Sequence, residues 1–206
     1  VHALDMGVYC MKVLVACEYS GIVRDAFAAK GNDAWSCDIL PSESEGNHIQ
    51  DDVLNHLHRD WDLMIAHPPC THLSVSGARW FTEGKKPWSL RVEALEFVRK
   101  LLNAPVEKIA LENPVSVISS HIRKSDQTIQ PFQHGHPHYK TTCLWLKNLP
   151  KLRPTNVVDV EYVFSKSGRK WTKWFSDTSK LPLKIRGKVR SRFWTGVAKA
   201  MAEQWG

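Results

Sequence analysis

Leu63-Met64-Ile65-Ala66-His67-Pro68-Pro69-Cys70 is an apolar run that breaks at a proline pair and leaves a thiol beyond it. Four consecutive apolar residues ahead of prolines read as a strand buried on both faces, because proline cannot continue the hydrogen-bond ladder. The same build recurs at Ile109-Ala110-Leu111-Glu112-Asn113-Pro114, which ends on a carboxyl group. Upstream, Met11-Lys12-Val13-Leu14-Val15-Ala16 is a third such run, and Asp33 to Ile39 a further strand with Asp38 at its end. Gly21 to Lys30 places Ile22, Val23, Ala26, Phe27 and Ala29 on one helical face and stops at Gly31. Ser89 to Asn103 is amphipathic, with Leu90, Ala94, Leu95, Phe97, Val98, Leu101 and Leu102 inward. Strand and helix alternate in this way over roughly 100 residues, the pattern of an α/β fold with a doubly wound, mostly parallel sheet flanked by helices. Reacting groups in such sheets sit in the crevice at the carboxyl ends of the strands. A nucleophile (Cys70) and an acid (Glu112) at two such ends point to an enzyme.

The remaining elements are shorter. Pro41 to Asn47 reads as polar loop, Val53 to His58 as a short helix, and Thr142 to Leu146 as a later strand. The 155–190 region reads as a small hairpin or a mostly irregular basic flap. Residues 1–10 are expected to be a dispensable extension, with Met11 as initiator and 11–206 as a single domain.

Composition narrows the class. The chain has 206 residues, 43% of them apolar, enough for one core. No apolar stretch approaches the roughly 18 residues of a membrane span. The five cysteines, Cys10, Cys17, Cys37, Cys70 and Cys143, are scattered without a CxxC pair. Neither a disulfide framework nor a zinc ribbon is indicated, and a reducing cytoplasm fits best. The net charge of +7 is uneven: residues 147–206 carry 14 of the 28 Lys and Arg against four acids. Trp171, Trp174, Phe175, Phe193 and Trp194 are interleaved there with Arg169, Lys170, Lys173, Arg190 and Arg192. Rings beside cations hold single strands and extruded bases, so a polyanion such as a nucleic acid is the expected partner of Lys170, Trp171, Lys173, Arg190 and Arg192. A solvated, solubilising tail is the other reading of the charge. Some of these tryptophans belong to the core.

The turn Cys17-Glu18-Tyr19-Ser20-Gly21 joins the first strand to the first helix. It is not GxGxxG, and the chain has no Walker lysine, so neither a dinucleotide nor a triphosphate is favoured. Asp38, with Ile39, stands where such folds hold a ribose diol, and Asp51-Asp52-Val53 follows the next turn. Each acid alone reads equally well as a cap or a solvated loop residue. Together, after successive strands, they suit a nucleoside with a neutral or cationic tail.

With these residues in place, the chain resembles the DNA cytosine-5 methyltransferases, in particular their short phage-type members. Pro68-Pro69-Cys70 matches the family's ProCys motif, and Glu112-Asn113-Pro114-Val115 matches its Glu-Asn-Val motif in part. Gly135-His136-Pro137-His138-Tyr139-Lys140-Thr141-Thr142 stands where the family has Gly-x-Pro-Gln-x-Arg-x-Arg, and Thr195-Gly196-Val197-Ala198 resembles its last motif. The resemblance implies a Rossmann-like S-adenosylmethionine-dependent methyltransferase fold. It implies Cys70 as nucleophile, Glu112 as acid at ring nitrogen 3, and Lys140 near the base or phosphate. It further implies S-adenosyl-L-methionine held by Cys17, Glu18, Tyr19, Ser20, Gly21, Asp38, Ile39, Asp52 and Pro68.

The chain departs from that family in several places. Ala66-His67 replaces a glycine pair, Thr71 a glutamine and Thr142 an arginine, and Pro114 interrupts Glu-Asn-Val. About 50 residues separate Thr142 from Thr195, too few for a large target-recognition domain. Relaxed specificity, a short target and a separate recognition partner are all open. Two other functions remain: an amino-group DNA methyltransferase, and a catalytically weak methyltransferase-like DNA-binding protein. The histidines, His67 and His72 around Cys70 and the alternating His134, His136 and His138, lack a second ligand cluster with zinc-like spacing. No metal is assigned, and these rings are expected on the surface or in a groove near phosphate.

Overall fold

Side-chain alternation settles the layers. Leu14, Ala16, Met64, Ala66, Ile109 and Leu111 join one apolar cluster, while Val13, Val15, Leu63, Ile65 and Ala110 join another. Successive Cβ atoms of a strand point to opposite faces, so these strands need cover on both sides. The computed structural model describes residues 10–165 and 167–206. Most of the expected N-terminal extension, residues 1–9, therefore lies outside the described residues.

In chain order the elements are β1 (Lys12–Ala16), α1 (Ile22–Ala28), β2 (Asp33–Asp38), β3 (His48–Gln50), β4 (Leu63–Ala66), α2 (Arg79–Thr82), α3 (Ser89–Leu102) and β5 (Lys108–Pro114). There follow α4 (Ile118–His121), β6 (Gln127–Ile129), β7 (Thr142–Lys147), β8 (Tyr162–Phe164), β9 (Lys170–Thr172), α5 (Lys173–Ser179), α6 (Leu183–Ser191) and α7 (Thr195–Trp205). Seven strands form one sheet in the order β3-β2-β1-β4-β5-β7-β6. The first five are mutually parallel, and β7 runs antiparallel to both β5 and β6. The fold is α/β with a mostly parallel sheet flanked by helices, as the alternation predicts. After β3 the chain crosses back over β1 to lay down β4, so the strand order reverses between β1 and β4. That reversal opens a crevice at the carboxyl ends of these strands.

One face is covered by α3, which buries Leu95, Val98 and Leu101. The other is covered by α1 through Val23 and Phe27, and by α7 through Val197, Ala198, Met201 and Trp205. The seat of α7 depends on Gly196. A Cβ there would collide with the carbonyl oxygen of His134 and stand 3.1 Å from His136 Nε2. In its absence the Gly196 N–H donates to His136 Nε2 at 2.9 Å.

Several expectations are corrected. β3 and β6 were not predicted; at three residues each they are too short to show a period. The expected helix from Val53 to His58 is a single 3₁₀ turn, Val53–Asn55. Ala29 is exposed because α1 ends at Ala28, whereas Arg24 is buried. The Arg24 guanidinium donates to Ser36 Oγ, Ser42 Oγ, Ser44 Oγ and the Glu45 carbonyl, and so pins the polar loop beside β2. The 155–190 region is a β8–β9 hairpin followed by α5 and α6, with more helix than a flap would have. Among the described residues, no helix is long and apolar enough to cross a membrane.

Two alanine substitutions test the seat of α7. Gly196→Ala should cost about 1–3 kcal/mol by overpacking. Gly187→Ala, in α6 with nothing within 4 Å of the added Cβ, should be neutral or stabilise by up to about 1 kcal/mol. Urea midpoints of the two proteins, compared at equal m-value, check the contrast.

Candidate active site

The turn after β1 is built around Glu18. Cys17 takes a left-handed conformation, φ 60°, and the buried Glu18 side chain folds back under α1. Its carboxylate accepts from the N–H groups of Val23 at 2.8 Å and Arg24 at 3.1 Å, and from Ser20 Oγ at 3.1 Å. The positive end of α1 is thus occupied by the chain's own carboxylate. A phosphate, which this helix terminus would otherwise attract, is repelled. Gly21 stands against Ser44 and Arg24 instead of facing the crevice.

Asp38 closes β2, and its Oδ1 accepts from Leu40 N at 2.9 Å. Asp52 caps the turn at Val53–Asn55, accepting from Leu54 N at 3.0 Å. Next to it, Asp51 contacts His56 Nε2 at 2.9 Å. The Asp52 N–H, then His56, hold the Asp51 carboxyl below the usual carboxylate range. These acids make one end of the crevice strongly anionic. Burial, followed by Asp38, pushes the Cys17 thiol far up, and burial raises Cys37 to about 11. Both shifts favour the protonated thiol.

The other end is built by β4 and β5. The His67 N–H continues the β1 ladder to the Ala16 carbonyl at 2.9 Å. Asn113 Nδ2 donates to the Pro68 carbonyl at 2.8 Å and locks the proline turn to β5. Between these anchors His67 Nδ1 meets Glu112 Oε2 at 3.1 Å, with the two side chains 12% and 14% exposed. The Phe193 ring lies 4.6 Å from the His67 ring. Cys70 opens a 3₁₀ turn at the rim and is exposed. Partial desolvation between the walls, and then the Glu112 carboxylate, raise its thiol pKa, while Lys140 acts in the opposite sense. Lys140 Nζ donates to the Arg190 carbonyl at 2.7 Å and stands 5.7 Å from the Trp194 ring.

A cavity of about 840 Å³ joins the two ends. Its walls bring together Cys17, Glu18, Tyr19, Ser20, Asp38, Ile39, Asp52 and Pro68 with Cys70, Glu112 and Lys140. Arg190 and Arg192 line it as well. Lys170, Trp171 and Lys173 do not; they stand on β9 and at the start of α5.

Among the described residues, most of the cations in the C-terminal segment are engaged within the protein. The Arg190 guanidinium donates to Thr178 Oγ1, the Phe175 carbonyl and Ser179 Oγ, and joins α5 to α6. Arg192 pairs with Glu43 at 2.8 Å, and Lys188 pairs with the same carboxylate. Lys173 pairs with Glu161 at 3.2 Å, Lys170 lies 3.6 Å over the Tyr162 ring, and Trp171 stacks on Phe175 at 5.2 Å.

Sequence reasoning gave His67 no role in the chemistry, counted Phe193 only among the interleaved C-terminal rings, and missed Glu43 and Lys188. For His67 a signal existed, since it follows the same apolar run that located Cys70. Glu43 and Lys188 carry no signal, because contact across 145 residues leaves no local period. The triple-histidine segment also differs from expectation. His134 is buried and bonds Thr155 Oγ1 at 3.1 Å, while His138 stacks on Trp174 at 5.5 Å. These rings pack the base of α7 instead of facing a phosphate groove. Among the described residues, no group of three His, Cys, Asp or Glu is placed to hold a metal ion.

No family model matches the chain, and neither does any curated protein. Solved structures of similar shape include a prophage-encoded E. coli protein described as a DNA modification methyltransferase, at 16% identity and a TM-score of 0.47. The alignment covers 73% of this chain and 52% of that one. The Entamoeba histolytica methyltransferase EhMeth aligns at 14% identity and a TM-score of 0.47, over 73% of this chain and 58% of its own. WbdD, solved with a kinase inhibitor, aligns at 12% identity and a TM-score of 0.38, over 88% of this chain and 50% of its own. The chain spans about half the length of these proteins.

After desolvation, the charges of Glu112 and Lys140 bias the titration of Cys70 in opposite directions. Glu112→Gln removes a nearby anion and should lower the thiol pKa; Lys140→Met removes a cation and should raise it. Alkylation requires the thiolate, so at pH 7 the first variant should react faster than wild type and the second slower. Iodoacetamide labelling of the Cys70 peptide, followed by mass spectrometry across pH, reads both directions.

Proposed function

We propose that this protein is a methyltransferase that uses S-adenosyl-L-methionine to methylate carbon 5 of cytosine in DNA through a covalent bond to Cys70. The observation that carries the reading is the convergence of Cys70, Glu112 and Lys140 in one cavity with the strand-end acids, beside the reversal between β1 and β4. The donor set fits the cofactor. Carboxylates at one end suit a ribose diol and a cationic sulfonium, and Glu18 at the α1 terminus disfavours a phosphate-bearing nucleotide. Ile39, Leu40, Val53 and Phe97 supply apolar wall for a purine ring.

When bound, S-adenosylmethionine supplies an electrophilic methyl group. The chain's task is to make carbon 5 of the pyrimidine able to attack it. Cys70 adds to carbon 6 and splits a hard substitution into two easier steps. Glu112 holds a proton at ring nitrogen 3, which accepts the electrons displaced by the attack. The Lys140 ammonium, fixed by the Arg190 carbonyl, favours the thiolate and the negative charge that spreads over the ring. The target base has to leave the duplex, at a cost of a few kcal/mol. Exposed Lys170, half-buried Trp171 and exposed Lys173, outside the cavity, supply backbone and stacking contacts. Selection of the target sequence falls to a short site or a separate recognition partner.

A trapping assay tests the reading. With cofactor present, DNA containing 5-fluorocytosine should form a covalent adduct with the wild-type protein and none with Cys70→Ser. Absence of an adduct from the wild type, with methyl transfer to an exocyclic amino group instead, overturns it. Lys170→Gln together with Lys173→Gln should weaken DNA binding and reduce the slope of log K against log salt by about 2. Binding titrations at several salt concentrations measure that slope.

A further inference from the structure

We propose that His67 carries the Cys70 proton: Nε2 takes it from the thiol as sulfur attacks, while Nδ1 passes a proton to Glu112 for delivery to ring nitrogen 3. The proposal rests on the reading of Cys70 and Glu112 given above.

Three observations support it. First, Nδ1 meets the Glu112 carboxylate at 3.1 Å. Against a carboxylate Nδ1 carries the hydrogen, which leaves Nε2 as the acceptor. Second, Nε2 is buried and has no hydrogen-bond partner among the described residues. A buried ring nitrogen normally has a partner, and this one belongs to a residue that lines the reaction cavity, so it is a place where a proton can go. Third, the ring is held in place. Its backbone is tied to Ala16, the next residue is tied to Asn113, and Phe193 packs against the ring at 4.6 Å. Cys70 follows three residues later and lines the same cavity. Its sulfur is not hydrogen-bonded to Nε2 here, so the transfer requires the short exposed turn of Cys70 to bring the thiol to the ring as substrate binds.

The chemistry calls for such a group. Both its surroundings and Glu112 favour the protonated thiol, so Cys70 needs a base at the moment of attack. The atoms balance without an external base. The S–H bond breaks and Nε2–H forms; the Nδ1–H proton moves to Glu112 and on to nitrogen 3. A sulfur lone pair forms the bond to carbon 6. The electrons of the carbon 5–carbon 6 double bond move between carbons 4 and 5, and those of the carbon 4–nitrogen 3 double bond take the proton. His67 ends neutral as its other tautomer, and Glu112 ends as a carboxylate. After methyl transfer the carbon 5 proton leaves to solvent water, and its electron pair re-forms the carbon 5–carbon 6 double bond and expels sulfur. The nitrogen 3 proton returns through Glu112 and His67 to the thiolate, which resets the couple.

The titratable and charged groups that share the cavity with His67 come from several elements. Lys140 ahead of β7, and Arg190 and Arg192 beside Phe193, line the cavity together with Glu112 and His67. Glu18 and Cys17 beyond β1, and His72 on the turn of Cys70, complete the surroundings.

The test measures the rate of adduct formation with 5-fluorocytosine DNA in a single turnover. His67→Gln should slow it about 100-fold at pH 7, with cofactor binding changed less than about threefold. The variant's rate should rise with pH beyond the point where the wild-type rate levels, because its thiol then ionises only with hydroxide. Added imidazole should restore much of the rate to His67→Gly, a rescue that a merely structural histidine does not show. A wild-type rate and pH profile in His67→Gln overturns the proposal, as does a folded His67→Gly that imidazole fails to rescue. If the wild type itself forms no adduct, the reading of Cys70 fails, and the role of His67 with it.

Discussion

The pairing of β4 with β1 on one side and β5 on the other sustains the rest of the molecule. Val13, Leu14, Val15 and Ala16 lie in parallel register with Leu63 to Ala66, which in turn pair with Lys108 to Leu111. Parallel register brings the ends of all three strands to one edge. The next positions in register at that edge are Cys17, His67 and Glu112, and three residues distant in sequence become neighbours around one cavity. A one-residue slip of β4 would turn Ile65 and Met64 to the wrong faces, and both faces are buried. The core therefore fixes the geometry of the edge.

Charge is divided along the crevice, and each half has its own physical origin. The acidic half follows from strand ends and caps: Asp38 turns the chain after β2, Asp52 caps a 3₁₀ turn, and Glu18 caps α1. Each acid has a local backbone task as well as a position facing the cavity. The basic half is assembled from afar. Lys140 enters from the segment ahead of β7, and Lys188, Arg190 and Arg192 enter from α6 and its end. Glu43 ties Lys188 and Arg192 to the loop after β2, so the C-terminal segment lies against the cavity wall. Exposed ion pairs of this kind contribute roughly 0–1 kcal/mol each and weaken with salt, which leaves this wall the least firmly held part of the site.

The C-terminal segment also shows how aromatic residues serve two purposes. Trp194 packs against His136, His138 and Trp174 at 4.8–5.2 Å and supports the start of α7. Phe193, the preceding residue, packs against His67 in the cavity. The contact that seats the last helix is thus one residue from a contact that orients a group in the site. Gly196 is part of the same seat, and its lack of a side chain is what allows the His134–His138 segment to approach.

What was legible in the sequence follows from period and punctuation. Apolar runs ending in proline located β4 and β5, and 3.6-residue spacing located α1 and α3, because burial on the faces of regular elements writes itself into local order. The same logic placed Cys70, Glu112 and the strand-end acids at one edge. Three-residue strands, the burial of Arg24 and the packing of the histidine segment were not legible; each depends on partners supplied by distant chain. The association of His67 with Glu112 belongs to that second kind. The sequence by itself determined that a thiol and a carboxyl group would stand at strand ends. Only the tertiary structure decided that an imidazole would stand against that carboxylate, because the contact spans 45 residues and exists only when β4 and β5 lie side by side.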